Sequence, residues 1–225
     1  MDELTAFFDA RTRAYDRQLW LERPALRTAA RLAAPAPGER VVDIAAGTGG
    51  MAVALARRQR GLGSLVLVDA APRMLARARR RLRGVYQSPQ WLVADARAIP
   101  LPDASADLVS ISYLLHLLDP HDASTVVNEA IRLMGPTGRL VVVVHGCPPG
   151  RIGAAYRRVW SARRRVSRDA VVGRGPMAGI TQLLEHHGLS VVARRWVPGA
   201  YMSEVVVAQA ISGERRRGTM EGRLQ

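Results

Sequence analysis

The spacing of apolar positions changes character along the chain. Over residues 3–21, Leu4, Phe7, Phe8, Tyr15 and Leu19 recur at helix-like intervals among charges, which predicts a helix. A second helix is predicted over about 24–34, stopped by Pro35 and by Pro37 with Gly38 behind it. Short β-branched runs then take over at residues 40–44, 64–68, 91–94, 108–111 and 140–144, alternating with helical patterns at 49–60, 72–83 and 122–134. Strands that alternate with helices lie parallel and are joined by right-handed crossovers. The pattern therefore predicts an α/β protein with an open, doubly wound, Rossmann-like sheet. The strands are apolar almost throughout, as expected where helices cover both sheet faces.

Beyond the fifth strand, Gly146, Pro148, Pro149 and Gly150 break the chain before a predicted helix over 151–168, which carries Ile152, Tyr156 and Val159 on one side. A helix over 177–187 leads to two strands at 189–193 and 205–209, whose short link lets them pair antiparallel at the edge of the sheet. This makes seven strands, mostly parallel, with an antiparallel edge strand. Residues 1–212 read as a single domain, and 213–225 as a flexible polar tail.

The 225 residues are 48% hydrophobic and 23% charged, an ordinary globular balance that excludes wholesale disorder. One cysteine, Cys147, excludes a disulfide framework and a thiolate metal cluster, so no metal is expected and the reduced cytosol is the expected compartment. The first thirty residues mix Asp2, Glu3 and Asp9 with arginines and hold no apolar stretch of about 7–15 residues, so no secretory signal is expected. No run approaches the ~18 apolar residues of a membrane span. The net charge of +14 invites a nucleic-acid reading. All 33 basic residues are arginine, however, and they are spread over the whole chain, which points to biased coding and a solvated surface. No specific nucleic-acid partner is expected.

Candidate chemistry begins at Asp43, Ile44, Ala45, Ala46, Gly47, Thr48, Gly49 and Gly50, between a buried strand and a helix. Small residues there let the backbone approach a ligand, and the helix offers free amides and a positive dipole end. A glycine-rich turn alone is weak evidence, since it also serves simply as a turn. Three aspartates strengthen it: Asp43, Asp69 and Asp95 close the first, second and third strands, at the edge where open sheets bind ligands. A carboxylate at Asp69 can accept from both hydroxyls of a ribose, and one at Asp95 from the amine of adenine. A nicotinamide-binding domain would share the glycines and Asp69. Asp43 and the pair of Asp95 with Ala96 argue against it.

With these residues in place the chain resembles class I S-adenosylmethionine (SAM)-dependent methyltransferases, particularly the group similar to ubiquinone/menaquinone-biosynthesis C-methyltransferases. The resemblance covers about residues 5–145. It rests on the 43–49 loop, on residues 68–75 with Asp69 and Met74, on Asp95 and Ala96 with Pro100 and Pro102 behind them, on residues 107–112, and on the turn at 135–140. It implies that Asp43, Ala45, Gly47 and Gly49 hold the methionine part of SAM, that Asp69 with Ala70 holds the ribose, and that Met74, Asp95 and Ala96 frame adenine. Ser112 would lie beside the methionine moiety, and Tyr15 would belong to an N-terminal helical lid over 1–38 that covers a core at 39–212. Ala45 departs from the glycine, and Ala71 from the serine, common at these places.

Methyl transfer is an in-line displacement, so the protein must align the nucleophile, exclude water and, where needed, remove a proton. His116 and His145 follow the fourth and fifth strands and are the candidate catalytic bases, His116 preferred for its closeness to Ser112. Tyr113 and Tyr15 could face the sulfonium. Substrate specificity is expected in the N-terminal helices and in residues 146–175, where Ile152, Tyr156, Val159 and Trp160 could line an apolar cavity. The expected acceptor is a small molecule, namely a bacterial secondary metabolite, a quinone or a lipid-like compound. The alternatives are an RNA or protein methyltransferase, or a binding protein without methyl transfer.

Overall fold

The computed structural model describes residues 3–166, 176–199 and 202–210. The predicted tail at 213–225 and residues 167–175 of the substrate segment lie outside the described residues. A helix α1 (Glu3–Ala33) precedes β1 (Arg40–Ile44), α2 (Gly50–Arg58), β2 (Ser64–Asp69), α3 (Pro72–Leu82), β3 (Gln90–Val93) and β4 (Ala106–Ser112). A 3-10 turn (Leu115–Leu117), α4 (Pro120–Leu133), β5 (Met134–His145), α5 (Gly150–Val166), α6 (Ile180–His186), β6 (Leu189–Val197) and β7 (Ser203–Ala210) follow.

The seven strands lie in the order β3-β2-β1-β4-β5-β7-β6. Strands β1 to β5 pair in parallel, and β7 runs against both β5 and β6, so the antiparallel pairing sits at one end of the sheet. Chain order reverses between β1 and β4, which leaves a crevice at their carboxyl ends. Alternate strand residues serve opposite cores, as a period of two requires. Val41, Leu65, Leu67, Leu108 and Val143 pack under α1, α2 and α3, whereas Val42, Val68, Val109, Ile111 and Val142 pack with Val126, Val127 and Leu184 of α4 and α6.

The helices start where local chemistry allows. Asp119 caps α4, accepting from the Asp122 amide at 2.9 Å, and Pro120 fills a first-turn position that needs no N–H. In place of the two predicted N-terminal helices there is one, α1, with Pro24 inside it. The missing N–H of Pro24 would have served the carbonyl of Trp20, a residue 65% exposed, where water can substitute. Leu19, Ala25, Leu26 and Ala29, all buried, continue one apolar stripe across the proline and hold the two halves in line. The first half of α1 is tied to α3: Asp16 pairs with Arg77 at 3.0 Å and with Arg81, and Asp9 pairs with Arg73 at 3.4 Å. Other arginines also sit in ion pairs, Arg139 with Glu39, Arg132 with Glu129 and Arg194 with Glu204 among them.

Candidate active site

The loop from β1 to α2 takes three left-handed backbone positions in five residues, at Ala45 (φ 53°), Gly47 (φ 54°) and Gly49 (φ 82°). That reversal brings the Gly47 amide onto Oδ2 of Asp69 at 2.7 Å, while Oδ1 of Asp69 accepts from the Ala71 amide at 2.8 Å. The carboxylate at the end of β2 thus holds the glycine loop and the start of α3 together. Burial nevertheless holds its pKa above the ordinary carboxylate value, against those two amides.

A cavity opens over this loop at the carboxyl edge of the sheet. Tyr15, Ala45, Gly47, Asp69, Ala70, Met74, Asp95, Ala96 and Ser112, all marked by sequence, line it together. Apart from Thr5 and Arg97, its remaining wall is largely apolar, with Leu4 and Phe8 from α1 and Leu117 and Leu118 beyond β4. The ring of Tyr15 lies over the loop, 3.8 Å from where a side chain at Gly47 would begin. Asp95 stands exposed at the rim, and Arg97 holds both its oxygens, Nε on Oδ1 at 2.9 Å and Nη2 on Oδ2 at 2.6 Å. Arg97 keeps the Asp95 carboxyl below its ordinary range. An adenine amine would share Oδ1 or Oδ2 with that guanidinium, using the second lone pair that each carboxylate oxygen retains.

A smaller neighbouring cavity is lined by Glu22, Asp43, Thr48 and Met51, and Tyr15, Ala45, Gly47, Ser112 and Tyr113 line both cavities. Asp43 therefore belongs to this second space and does not line the first. Gly49 lines neither cavity, contrary to the expectation that it touches the cofactor. A side chain there would begin 3.0 Å from Ala78 Cβ and 3.0 Å from Leu82 Cδ1, so its lack of one serves the packing of α2 on α3.

The second cavity holds the site's unmet polar groups. Asp43 is fully buried, its Oδ1 accepting from Ser110 Oγ at 2.6 Å, and its Oδ2 has no partner. Thr48 Oγ1 and Ser112 Oγ are also buried without one. Glu22, 7% exposed, accepts from the Tyr15 hydroxyl at 3.0 Å. Burial pushes the Asp43 and Glu22 carboxyls up to about 7 each. Buried orphan acceptors and hydroxyls are costly unless a ligand completes them. Two carboxyls poised near neutrality suit a cation, and the hydroxyls suit a carboxylate. The set fits the zwitterionic end of an amino acid, as Asp69 fits a ribose. Glu22 was not legible in the sequence, because it lies two residues before a proline in a stretch that reads as ordinary amphipathic helix.

Neither candidate base lines either of these two cavities. His116 and His145 lie one ring behind the wall, with Tyr113 edge-on to His116 at 6.2 Å and His116 edge-on to His145 at 5.9 Å. His145 is 4% exposed and its Nε2 bonds Tyr156 Oη of α5 at 2.5 Å. Burial pushes the imidazoles down, His116 to about 3 and His145 to about 4, so both are neutral and weakly basic at pH 7. Tyr156 and Trp160 also line neither cavity but pack against His145, with ring centroids 5.6 and 4.6 Å away. The Ile152 and Val159 side chains lie outside the described residues. Cys147 receives a hydrogen bond from Arg157 at 3.2 Å, and His187 bridges Ser124 and Asn128 of α4.

Fold and cavity together define a doubly wound α/β domain with a cavity at the switch point between β1 and β4. Residues 41–138 match the family model described as a methyltransferase domain. The chain is 37% identical over 132 residues to a demethylmenaquinone methyltransferase of Thermus thermophilus, covering 58% of this chain and 59% of that protein. It is 35% identical over 159 residues to a demethylmenaquinone methyltransferase of Clavibacter sepedonicus, covering 65% and 60%. The chain thus spans about 60% of the length of these curated relatives. Among solved structures, magnesium protoporphyrin IX methyltransferase of Synechocystis with bound SAH superposes with a TM-score of 0.72 at 16% identity, over 92% of this chain and 98% of that one. A SAM-dependent methyltransferase of Aquifex aeolicus gives 0.63 at 17% identity, over 90% and 98%. These likenesses show the fold.

Proposed function

We propose that the protein is a SAM-dependent methyltransferase that acts on a small-molecule acceptor, a quinone or lipid-like compound or a related secondary metabolite, in the cytosol. The observation that carries this reading is the pair of joined cavities. Acidic and small residues suited to an adenosyl group line the first, and orphaned Asp43 Oδ2, Thr48 Oγ1 and Ser112 Oγ line the second. The names of the curated relatives support a quinone-like acceptor, and the apolar wall of Leu4, Phe8, Leu117 and Leu118 supports an apolar one.

Bound there, SAM supplies a methyl group already activated on a sulfonium. In this reading Asp69 receives the ribose hydroxyls, Met74, Asp95 and Ala96 bracket the adenine, and Asp43, Glu22, Thr48 and Ser112 take the amino-acid end. The chain's own contribution to chemistry is alignment and exclusion of water: α1 closes over the loop, and the apolar wall holds the acceptor. No imidazole is assigned the acceptor's proton, because His116 and His145 lie behind Tyr113. The pairing of many arginines with carboxylates supports an arginine surface that binds nucleic acid only weakly and without sequence selectivity. Incubation with methyl-labelled SAM and a panel of demethylated quinols, phenols and metabolite extracts tests the proposal. Label in a small molecule supports it, and label only in RNA or protein overturns the choice of acceptor.

A further inference from the structure

Among the described residues, two aromatic side chains line both cavities: Tyr15, from α1, and Tyr113, from the end of β4. In SAM, sulfur is the atom that joins the adenosyl half to the amino-acid half. If the first cavity takes one half and the second the other, the sulfur falls where the two cavities adjoin, along the stretch that these two rings line.

Each ring is pinned at its hydroxyl. Tyr15 donates to Glu22 at 3.0 Å, and Tyr113 Oη lies 2.8 Å from Ser203 Oγ on β7. Tyr113 is also held in a backbone conformation that a bulky residue rarely adopts, with φ at 57°, while its amide donates to Val143 O at 2.7 Å. A left-handed tyrosine persists only where the surroundings over-determine it, and such positions cluster at ligand clamps and active sites. Asparagine or glycine would fill the same turn with less strain, so the side chain itself has a use.

We infer that Tyr15 and Tyr113 form a two-sided aromatic clamp on the cofactor's sulfonium, which makes the site prefer charged SAM over its neutral thioether product, S-adenosylhomocysteine. The inference rests on the cofactor reading above. A ring quadrupole attracts a sulfonium cation more strongly than a neutral thioether, and the difference grows where water is excluded. Asp43 and Glu22 face the amino-acid end, which is identical in the two molecules, so charge there does not discriminate between them in the same way. The clamp therefore favours substrate entry and product release together.

Calorimetric titration of SAM and of S-adenosylhomocysteine into the same preparation gives a ratio of dissociation constants that is independent of the fraction folded. Tyr15→Leu and Tyr113→Leu should each lower the preference for SAM by roughly 3–30-fold, chiefly by weakening SAM. Tyr15→Phe and Tyr113→Phe keep the rings and lose the hydroxyl bonds, and should hold the preference within about 2-fold. Leucine variants that weaken both ligands by one common factor would overturn the clamp and leave the tyrosines as cavity walls. Wild-type protein that binds neither ligand would instead overturn the cofactor reading from which the clamp follows.

Discussion

Ser110 donates its hydroxyl hydrogen to Asp43 Oδ1 at 2.6 Å, between register partners on β4 and β1, and Asp43 Oδ2 remains buried with no partner. A carboxyl so placed is steadied by Ser110 and by the nearby Ala52 amide, and keeps one oxygen open to a further donor. Its pKa of about 7 means that it carries a proton at mildly acidic pH when the cavity is empty. An incoming ammonium favours the ionised form, so binding must expel that proton whenever the pH lies below 7.

SAM affinity should therefore rise with pH through about 6 to 8 and fall by up to ~10-fold per pH unit below 7 for each carboxyl that must ionise. Asp43→Asn should weaken binding by ~1.5–3 kcal/mol at pH 8, the range for a hydrogen bond to a charged group, and flatten the profile. Calorimetry in two buffers of different ionisation enthalpy reports the released proton directly. A pH-independent affinity in the wild type would show that neither Asp43 nor Glu22 meets the cation.

Asp69→Ala should also weaken SAM by ~1.5–3 kcal/mol. Because Asp69 ties the Gly47 and Ala71 amides together, this variant should lose stability as well, whereas Asp95→Ala, at the exposed rim, should not. Thermal unfolding beside titration separates the two effects.

The carboxyl edge of the sheet was legible because strand ends, small residues and acidic side chains coincide there in sequence. β-branched runs marked the sheet, and Asp69, Met74 and Ser112 fell into place with it. What sequence could not show depends on rotation about helix axes and on contacts between distant segments. Gly49 lies within the loop motif, yet faces Ala78 and Leu82 of α3. His116 and His145 follow the right strands, yet a 3-10 turn and the Tyr156 bond place them behind the wall. Pro24 looked like a helix boundary, because the apolar stripe that carries α1 through it is set by α2 and the sheet beneath. The strain at Tyr113 carries no sequence signature at all.

Substituting either histidine by Gln should lower turnover by less than ~10-fold, whereas a general base would contribute ~10²–10⁴-fold. A loss in that larger range for one of them, with SAM affinity intact, would restore it as the base. The histidines matter instead for acid stability. Their folded pKa values lie below the unfolded value of about 6.5, so the stability they contribute is complete above that pH and is lost as pH falls toward 4. His145 alone accounts for about 3 kcal/mol over that range. Asp43 and Glu22 act in the opposite sense, since their raised values give stability that is complete below about 4 and lost as pH rises through 7. Urea unfolding of the wild type should thus vary little between pH 4.5 and 6.5 (roughly the window in which both sets titrate). The Asp43→Asn, Glu22→Gln double variant should lose stability steeply with acid over the same range. Identical profiles for the two proteins would refute this balance.

Ala45 occupies a left-handed position, φ 53°, that glycine fills without penalty. Ala45→Gly should raise stability by about 1 kcal/mol or less, since relief of strain is partly offset by the freer unfolded chain. A lower melting temperature would mean that the alanine methyl packs usefully against the lid.

The central claim is that the joined cavities are a SAM site, and titration of SAM into the wild-type protein at pH 8 tests it most directly. The account predicts saturable binding at one site per chain, abolished or much weakened in an Asp43→Asn, Asp69→Ala double variant. Absence of binding by folded protein, or binding of a nicotinamide dinucleotide in its place, would contradict it.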